Sequence, residues 1–316
     1  MDRETPEEGL RQDFLTVSGP LRIAVTVGDP AGIGPEVAGM ALRSPDLDRS
    51  CLFELVGPSE PVQPGHPSVK GAKAAFEALE AAASGLLEGR YAAVVTGPIH
   101  KARMREVGFH FPGQTEFFAQ RSQTTDYTMC LTGGPLTVAL VTAHVPYREV
   151  PENLSPRAIL RTGLQLADFV ALRTRQTERA GAPRIAVAGL NPHAGEEGLL
   201  GGEEVALIAP CVQQLNADGR AVFSGPWSPD TVFYRAAQGE FDGVVCMYHD
   251  QGLIPLKLFA FHEGVNVTLG LPFPRTSPDH GTAFEIAGQG KAHPGSMLAA
   301  LNLAAELARK GQPKAL

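Results

Sequence analysis

The chain reads as an α/β protein with mostly parallel sheets, and three observations predict this. Short β-branched runs alternate with helical patterns along its length. The runs are apolar nearly throughout, the mark of strands covered by helices on both faces. The 316 residues, 43% apolar and 19% charged, can bury a substantial core as one large or two medium domains.

The elements follow in order. Strands are predicted at 22–27 (RIAVTV), 51–57, 91–97, 136–144, 184–190, 220–225, 242–248 and 264–271. Helices are predicted at 34–44, 68–87, 155–181, 201–216, 228–237 and 295–311. Ser155-Pro156 and Ser228-Pro229 suit an N-cap followed by a first-turn proline. The proline-rich stretch 57–67 reads as a surface loop, and residues 1–20 as a loose acidic extension.

Net charge is −7 without a lysine or arginine block, so no nucleic-acid face is expected. Cys51, Cys130, Cys211 and Cys246 are scattered, which fits a reducing compartment. The N-terminus lacks the basic start and apolar core of a signal peptide, and no run is long enough to span a membrane. A cytoplasmic protein is expected.

In open α/β sheets, ligands gather beyond the carboxyl ends of strands. Three predicted strands end close to a histidine: His144, His193 and His249. Each alone reads more readily as a satisfied polar group than as a ligand. Together, on parallel neighbours, they can converge as imidazole ligands of zinc, cobalt or nickel with a position left for substrate. Asp250 and Asp230 would orient a ring or add an oxygen ligand.

The loop GDPAGIGPE, with Gly28, Gly32 and Gly34, is either an anion-binding helix start or a tight turn; it does not match GxGxxG. Lys101, after TGPIH, reads as a phosphate ligand or as solvated. The stretch from His249 to Glu285 is densest in chemistry. It holds Lys257, Asn266, Arg275, Asp279 and His280 among glycines and prolines. There an arginine among turn residues suits an oxyanion.

The motifs TVGDPAGIGPE, VVTGPIHK, FPGQTEFFA, LVTAHVP, GLNPHAGE, SPDTVF, MYHDQGLIPLK and GVNVTLGLPFPRTSPDHGTA closely resemble the 4-hydroxythreonine-4-phosphate dehydrogenase family of vitamin B6 biosynthesis, over roughly residues 21–300. The resemblance implies a two-lobed α/β/α fold of the isocitrate and isopropylmalate dehydrogenase type. One lobe would hold 21–130 plus 281–316, the other 131–280. It implies a homodimer with the active site at the subunit interface. It implies a divalent metal (zinc, cobalt or magnesium) on His144, His193 and His249, with substrate on Thr115, Lys257, Asn266 and Arg275. Imidazole ligands favour zinc or cobalt over magnesium.

The implied reaction is NAD- or NADP-dependent oxidation of 4-phosphohydroxy-L-threonine to a β-keto acid, which loses CO2 to give 3-amino-2-oxopropyl phosphate. Lys257 is expected as proton donor or carboxylate clamp, and Asp250 as orienter or ligand. The chain departs from the family at Gln114, where GHTE is usual and GQTE stands here. Glutamine can hydrogen-bond an anion but not carry charge. That opens a related substrate, threonate or erythronate 4-phosphate. A zinc hydrolase, with Glu196 as base, and a silent phospho-ligand binder are the rival readings.

Overall fold

In a computed structural model, residues 19–57, 62–174 and 181–311 are described. The expected N-terminal extension, most of the proline-rich loop's middle and the end of the helix predicted to 181 lie largely outside them.

Ten strands form one continuous sheet: β1 (Arg22–Thr26), β2 (Leu52–Leu55), β3 (Ala93–Thr96), β4 (Thr128–Gly133), β5 (Leu136–Leu140), β6 (Arg184–Ala188), β7 (Val222–Trp227), β8 (Gly243–Cys246), β9 (Val265–Leu269) and β10 (Arg275–Pro278). Their order is β2-β1-β3-β10-β9-β4-β5-β8-β6-β7. The outer groups are parallel, while β10–β9, β9–β4 and β4–β5 are antiparallel. The mostly parallel α/β expectation is therefore met. Three reversals separate the two parallel groups, so these run in opposite directions.

The helices are α1 (Gly34–Arg43), α2 (Val69–Leu87), α3 (Lys101–Glu106), α4 (Gln114–Arg121), α5 (Val150–Asn153), α6 (Pro156–Thr174), α7 (Ala209–Asp218), α8 (Val232–Ala237), α9 (His249–Ala260) and α10 (Gly295–Lys310). One face of the sheet packs against α1, α6, α7 and α10, around Val37, Ile159, Leu166, Leu215 and Met297. On the opposite face, α2 and α4 cover one part around Leu79, Phe109 and Phe117. There α8 and α9 cover another part around Phe233, Leu253 and Leu256. Burying side chains of this size contributes about 1.5–3 kcal/mol each.

Two sequence expectations need correction. HDQGLIPLKLFA does not continue a turn after β8; it is helix α9, despite Gly252 and Pro255 within it. RTSP is a short buried strand, not a shaped loop. Arg275 pairs with Val94 of β3 on one side and Thr268 of β9 on the other, which ties proline-bearing sequence into the sheet. Strand β4 and helices α3 and α4 were also not legible. None of the described helices is long and apolar enough to cross a membrane.

Candidate active site

The carboxyl ends of β5, β8 and β6 are neighbours in the sheet, and each leads to a predicted histidine. His144 lies in the loop after β5, and His249 opens α9 immediately after β8. Their ring centroids are 5.7 Å apart. Packing around His144 strips hydration and lowers its pKa. Lys101 and His249 add to this by like-charge repulsion, and Glu116 opposes it. Lys101, at the start of α3, is exposed and acts on His144 only through its charge.

His249 Nδ1 lies 2.7 Å from Asp250 Oδ1, and the Tyr147 hydroxyl donates to Asp250 Oδ2 at 3.2 Å. With Nδ1 occupied, Nε2 is the nitrogen left for a ligand. The hydrogen bond from His249 holds the Asp250 carboxyl below its usual pKa.

His193 stands apart. It follows β6 in a turn where five consecutive residues, His193 to Glu197, have φ of 42–79°. Left-handed backbone of this kind costs about 1–2 kcal/mol per non-glycine residue. Buried Glu204 holds the start of this turn: it accepts from Leu190 N and Asn191 N, each at 2.7 Å, and from Asn191 Nδ2 at 3.0 Å. Gly195 packs so closely on Glu204 that a Cβ would fall 2.6 Å from its Oε2. His193 acts electrostatically on Asp230, whose carboxyl is lowered first by Ser228.

Gln251 braces the two histidine-bearing loops. It is buried, accepts from Met247 N at 2.7 Å and donates to Gly189 O at 2.7 Å. Even so, among the described residues no three His, Cys, Asp or Glu side chains are arranged to hold a metal. The expectation that all three imidazoles converge is not met within one chain. The donor chemistry fits two corners of a zinc or cobalt site, at His144 and His249.

The second half of the site is built around Arg275, which is 3% exposed. Its Nη2 donates to Thr96 Oγ1 at 2.7 Å; its Nη1 reaches Thr115 Oγ1 and Thr268 Oγ1, each at 3.3 Å. Nε has no partner. Burial pulls the guanidinium down to about 10, with Glu116 opposing. Buried polar atoms are normally paired, and here Gln114 Oε1, Asn266 Oδ1 and Arg275 Nε are not. All three belong to residues singled out from the sequence as substrate ligands. Gln114 Nε2 is fixed on Gly97 O at 2.9 Å. Lys257, two turns along α9 from Asp250, pairs with Asp279 at 3.1 Å.

The glycine loop after β1 packs against the turn after β3. Asp29 N donates to Pro98 O at 2.8 Å, and Ile33 N to Thr282 O at 2.9 Å. A Cβ on Gly28 would fall 2.1 Å from Pro98 O, so glycine is required there. Around this junction Asp29 Oδ2, His100 Nδ1 and His280 Nε2 are buried without partners. Desolvation raises the Asp29 carboxyl, while Ala31 N and His100 oppose it.

Sequence reasoning missed Thr96, Thr268, Glu116, Tyr147, Glu204 and Gln251. Thr268 and Thr96 were legible only through pairing register. Gln251 lies inside a quoted motif and Glu204 inside the helix predicted at 201–216, and buried polar groups next to glycine turns are the available signal.

The profile of the pyridoxal phosphate biosynthetic protein PdxA matches residues 38–304. The chain belongs to the PdxA family. A relative from Desulfosudis oleivorans, named 4-hydroxythreonine-4-phosphate dehydrogenase, is 40% identical over 90% of this chain and 96% of its own length. The solved PdxA-type structure from Klebsiella pneumoniae, a 4-hydroxythreonine-4-phosphate dehydrogenase, superposes with a TM-score of 0.75 at 38% identity, covering 91% of this chain and 99% of its own. Isocitrate dehydrogenase from Methylococcus capsulatus, at 15% identity and a TM-score of 0.53 over 93% of this chain and 87% of its own, shares the fold. The family and fold resemblances drawn from the motifs are both borne out.

Proposed function

We propose that this chain oxidises 4-phosphohydroxy-L-threonine with NAD or NADP and releases CO2 from the β-keto acid, giving 3-amino-2-oxopropyl phosphate in the cytoplasm. The observation that carries this is Arg275: a buried cation among threonine hydroxyls, whose Nε has no partner among the described residues. Such a group wants an oxyanion. Arg275, Thr115 and Asn266 bind anionic or polar ends of the substrate. Lys257 clamps the carboxylate and, after CO2 leaves, protonates the enol carbon from Nζ. Asp250 positions the His249 ring and touches no substrate.

A divalent metal, zinc or cobalt favoured over magnesium, would supply Lewis acidity at the alcohol and later the ketone oxygen. His144 and His249 would hold it from one chain. The dinucleotide would accept the hydride; we assign it to the junction of the glycine loops, where Asp29, His100 and His280 leave buried atoms unpartnered.

A homodimer completes the site. On α9, Ile254, Leu258 and Phe261 form an apolar stripe at i, i+4, i+7, exposed by 66%, 82% and 68%. The same helix carries His249 and Lys257. A second copy on this stripe would bring its own His193 to the pair. Residues 21–130 plus 281–316 and residues 131–280 are taken as the two lobes, with β10 of the second joining the parallel group of the first.

Absorbance at 340 nm with substrate, each dinucleotide and added zinc or cobalt tests the reading. Reduction of NAD or NADP with CO2 release is expected; no reduction with any of these removes it. A second substrate, erythronate 4-phosphate, is favoured by Gln114, whose side chain is fixed to Gly97 and uncharged. Gln114→His is expected to raise kcat/KM for phosphohydroxythreonine relative to erythronate 4-phosphate, and an unchanged ratio removes that role.

A further inference from the structure

A cavity of about 770 Å3 opens away from the histidine pair. It lies between α6, the 122–126 segment after α4 and the β9–β10 connection, Gly270–Pro274. Leu160, Phe169, Leu172, Leu271 and Leu307 give it apolar walls. Two of its charged groups are already satisfied. Arg157 Nη2 contacts both Asp126 oxygens at 3.0 Å, and Asp168 accepts from Arg220 at 2.9 Å.

Arg161 and Gln165 differ. They also line the cavity, one helical turn apart on α6. Arg161 Nε and Gln165 Oε1 are both buried and have no partner. Gln165 cannot turn its amide nitrogen inward, because Nε2 donates to Asp126 O at 2.9 Å. A small turn of these two side chains would offer the cavity one cationic N–H donor and one acceptor within apolar walls. Its volume lies in the range of about 300–1,000 Å3 typical of small-molecule sites. Inorganic phosphate would satisfy the donor and leave the apolar walls uncovered.

We propose that this cavity is a second ligand site, which takes a small organic anion with an apolar ring or branched body and an N–H or O–H donor. Its oxyanion accepts from Arg161, and its donor group meets Gln165 Oε1. The site bears on Arg275 through the β9–β10 connection. Gly270 has φ of +87°, and a Cβ there would fall 2.5 Å from Gln165 Nε2 and 2.4 Å from Asp126 O. The connection is thus seated on Gln165, and the strands it joins place Thr268 against Arg275.

The binding claim stands on the cavity alone; only the coupling to Arg275 rests on the proposed dehydrogenase reading. The probe is 8-anilino-1-naphthalenesulfonate, which has an apolar body, a sulfonate and an N–H. N-phenyl-1-naphthylamine, which lacks the sulfonate, is the control. Fluorescence titrations compare the full-length chain with Arg161→Met and Arg161→Lys. Arg161→Met should weaken the sulfonate probe about tenfold or more and leave the neutral probe unchanged. Arg161→Lys, which keeps charge but lacks Nε–H, should fall between. Equal affinity of the sulfonate probe for wild type and Arg161→Met overturns the site. An equal loss for both probes also overturns it, since it shows a collapsed cavity instead of a lost anion contact.

Saturating probe should shift the KM for the phosphorylated substrate in wild type and not in Arg161→Met. A shift that persists in Arg161→Met places the effect at the active site and overturns the coupling. If no phosphorylated hydroxy acid is turned over, the function reading fails, while the titrations still decide the site.

Discussion

Replacing Arg275 by methionine separates a binding role from a structural one. Burial lowers the guanidinium to about 10, which at 1.36 kcal/mol per tenfold change is roughly 3 kcal/mol against the charged form. Methionine removes this penalty and fills most of the volume. It also leaves Thr96, Thr115 and Thr268 without their shared donor. Unpaired buried hydroxyls cost about 1–3 kcal/mol in total where they can turn to backbone acceptors. The two effects nearly cancel, so the unfolding free energy from urea titration should change by no more than about 1 kcal/mol. The anion sees a different balance. Losing one or two charge-assisted hydrogen bonds costs about 1.5–3 kcal/mol each, or roughly 10- to 10⁴-fold in kcat/KM. Steady-state kinetics and urea unfolding on the same preparation check both halves. A stability loss above about 3 kcal/mol, with normal turnover in the folded fraction, would refute the argument: Arg275 would then be a structural cation.

Three further outcomes are expected. His193→Ala and His249→Ala should each be inactive alone. Refolded together they should regain about a quarter of wild-type activity, because half the dimers are mixed and half of their sites intact; no recovery in the mixture would mean that His193 does not act across subunits. Gln251→Leu removes both buried hydrogen bonds between the histidine loops, so it should cost about 2–4 kcal/mol in urea unfolding, whereas a loss below about 0.5 kcal/mol would show the brace to be idle. Asp48 is held at about 2, first by Ser50 and then by Arg309. Its folded pKa is depressed, so its contribution is present above pH 3.8 and fades as pH falls toward 2. The Arg309 pair is partly exposed, at 29% and 40%, so Asp48→Asn should cost only about 1 kcal/mol at pH 7; the gap should close by pH 2, and a constant gap would contradict the linkage.

The sequence announced the chemistry at strand ends better than the backbone that delivers it. His144 and His249 were found because apolar runs stop abruptly at polar, glycine-bearing turns, and the two rings do meet. The helix that carries His249 was hidden, since Gly252 and Pro255 argue locally against helix and only the packing of Leu253 and Leu256 on β5 and β8 outweighs them. Arg275 was visible as a lone cation among turn residues, but its setting was not. A strand of four residues containing proline has no periodicity to read, and its register places Arg275 opposite Thr268 through pairing 7 residues away in sequence and Thr96 179 away. His193 marks the same limit at a larger scale. Its motif is plain, yet it is held in a left-handed turn by Glu204 and stands outside any three-ligand group in its own chain. A residue held in strained backbone, outside any three-ligand group among the described residues, is consistent with selection for a contact beyond the chain. In the proposed homodimer, the exposed stripe of Ile254, Leu258 and Phe261 would give that contact a surface on which to form.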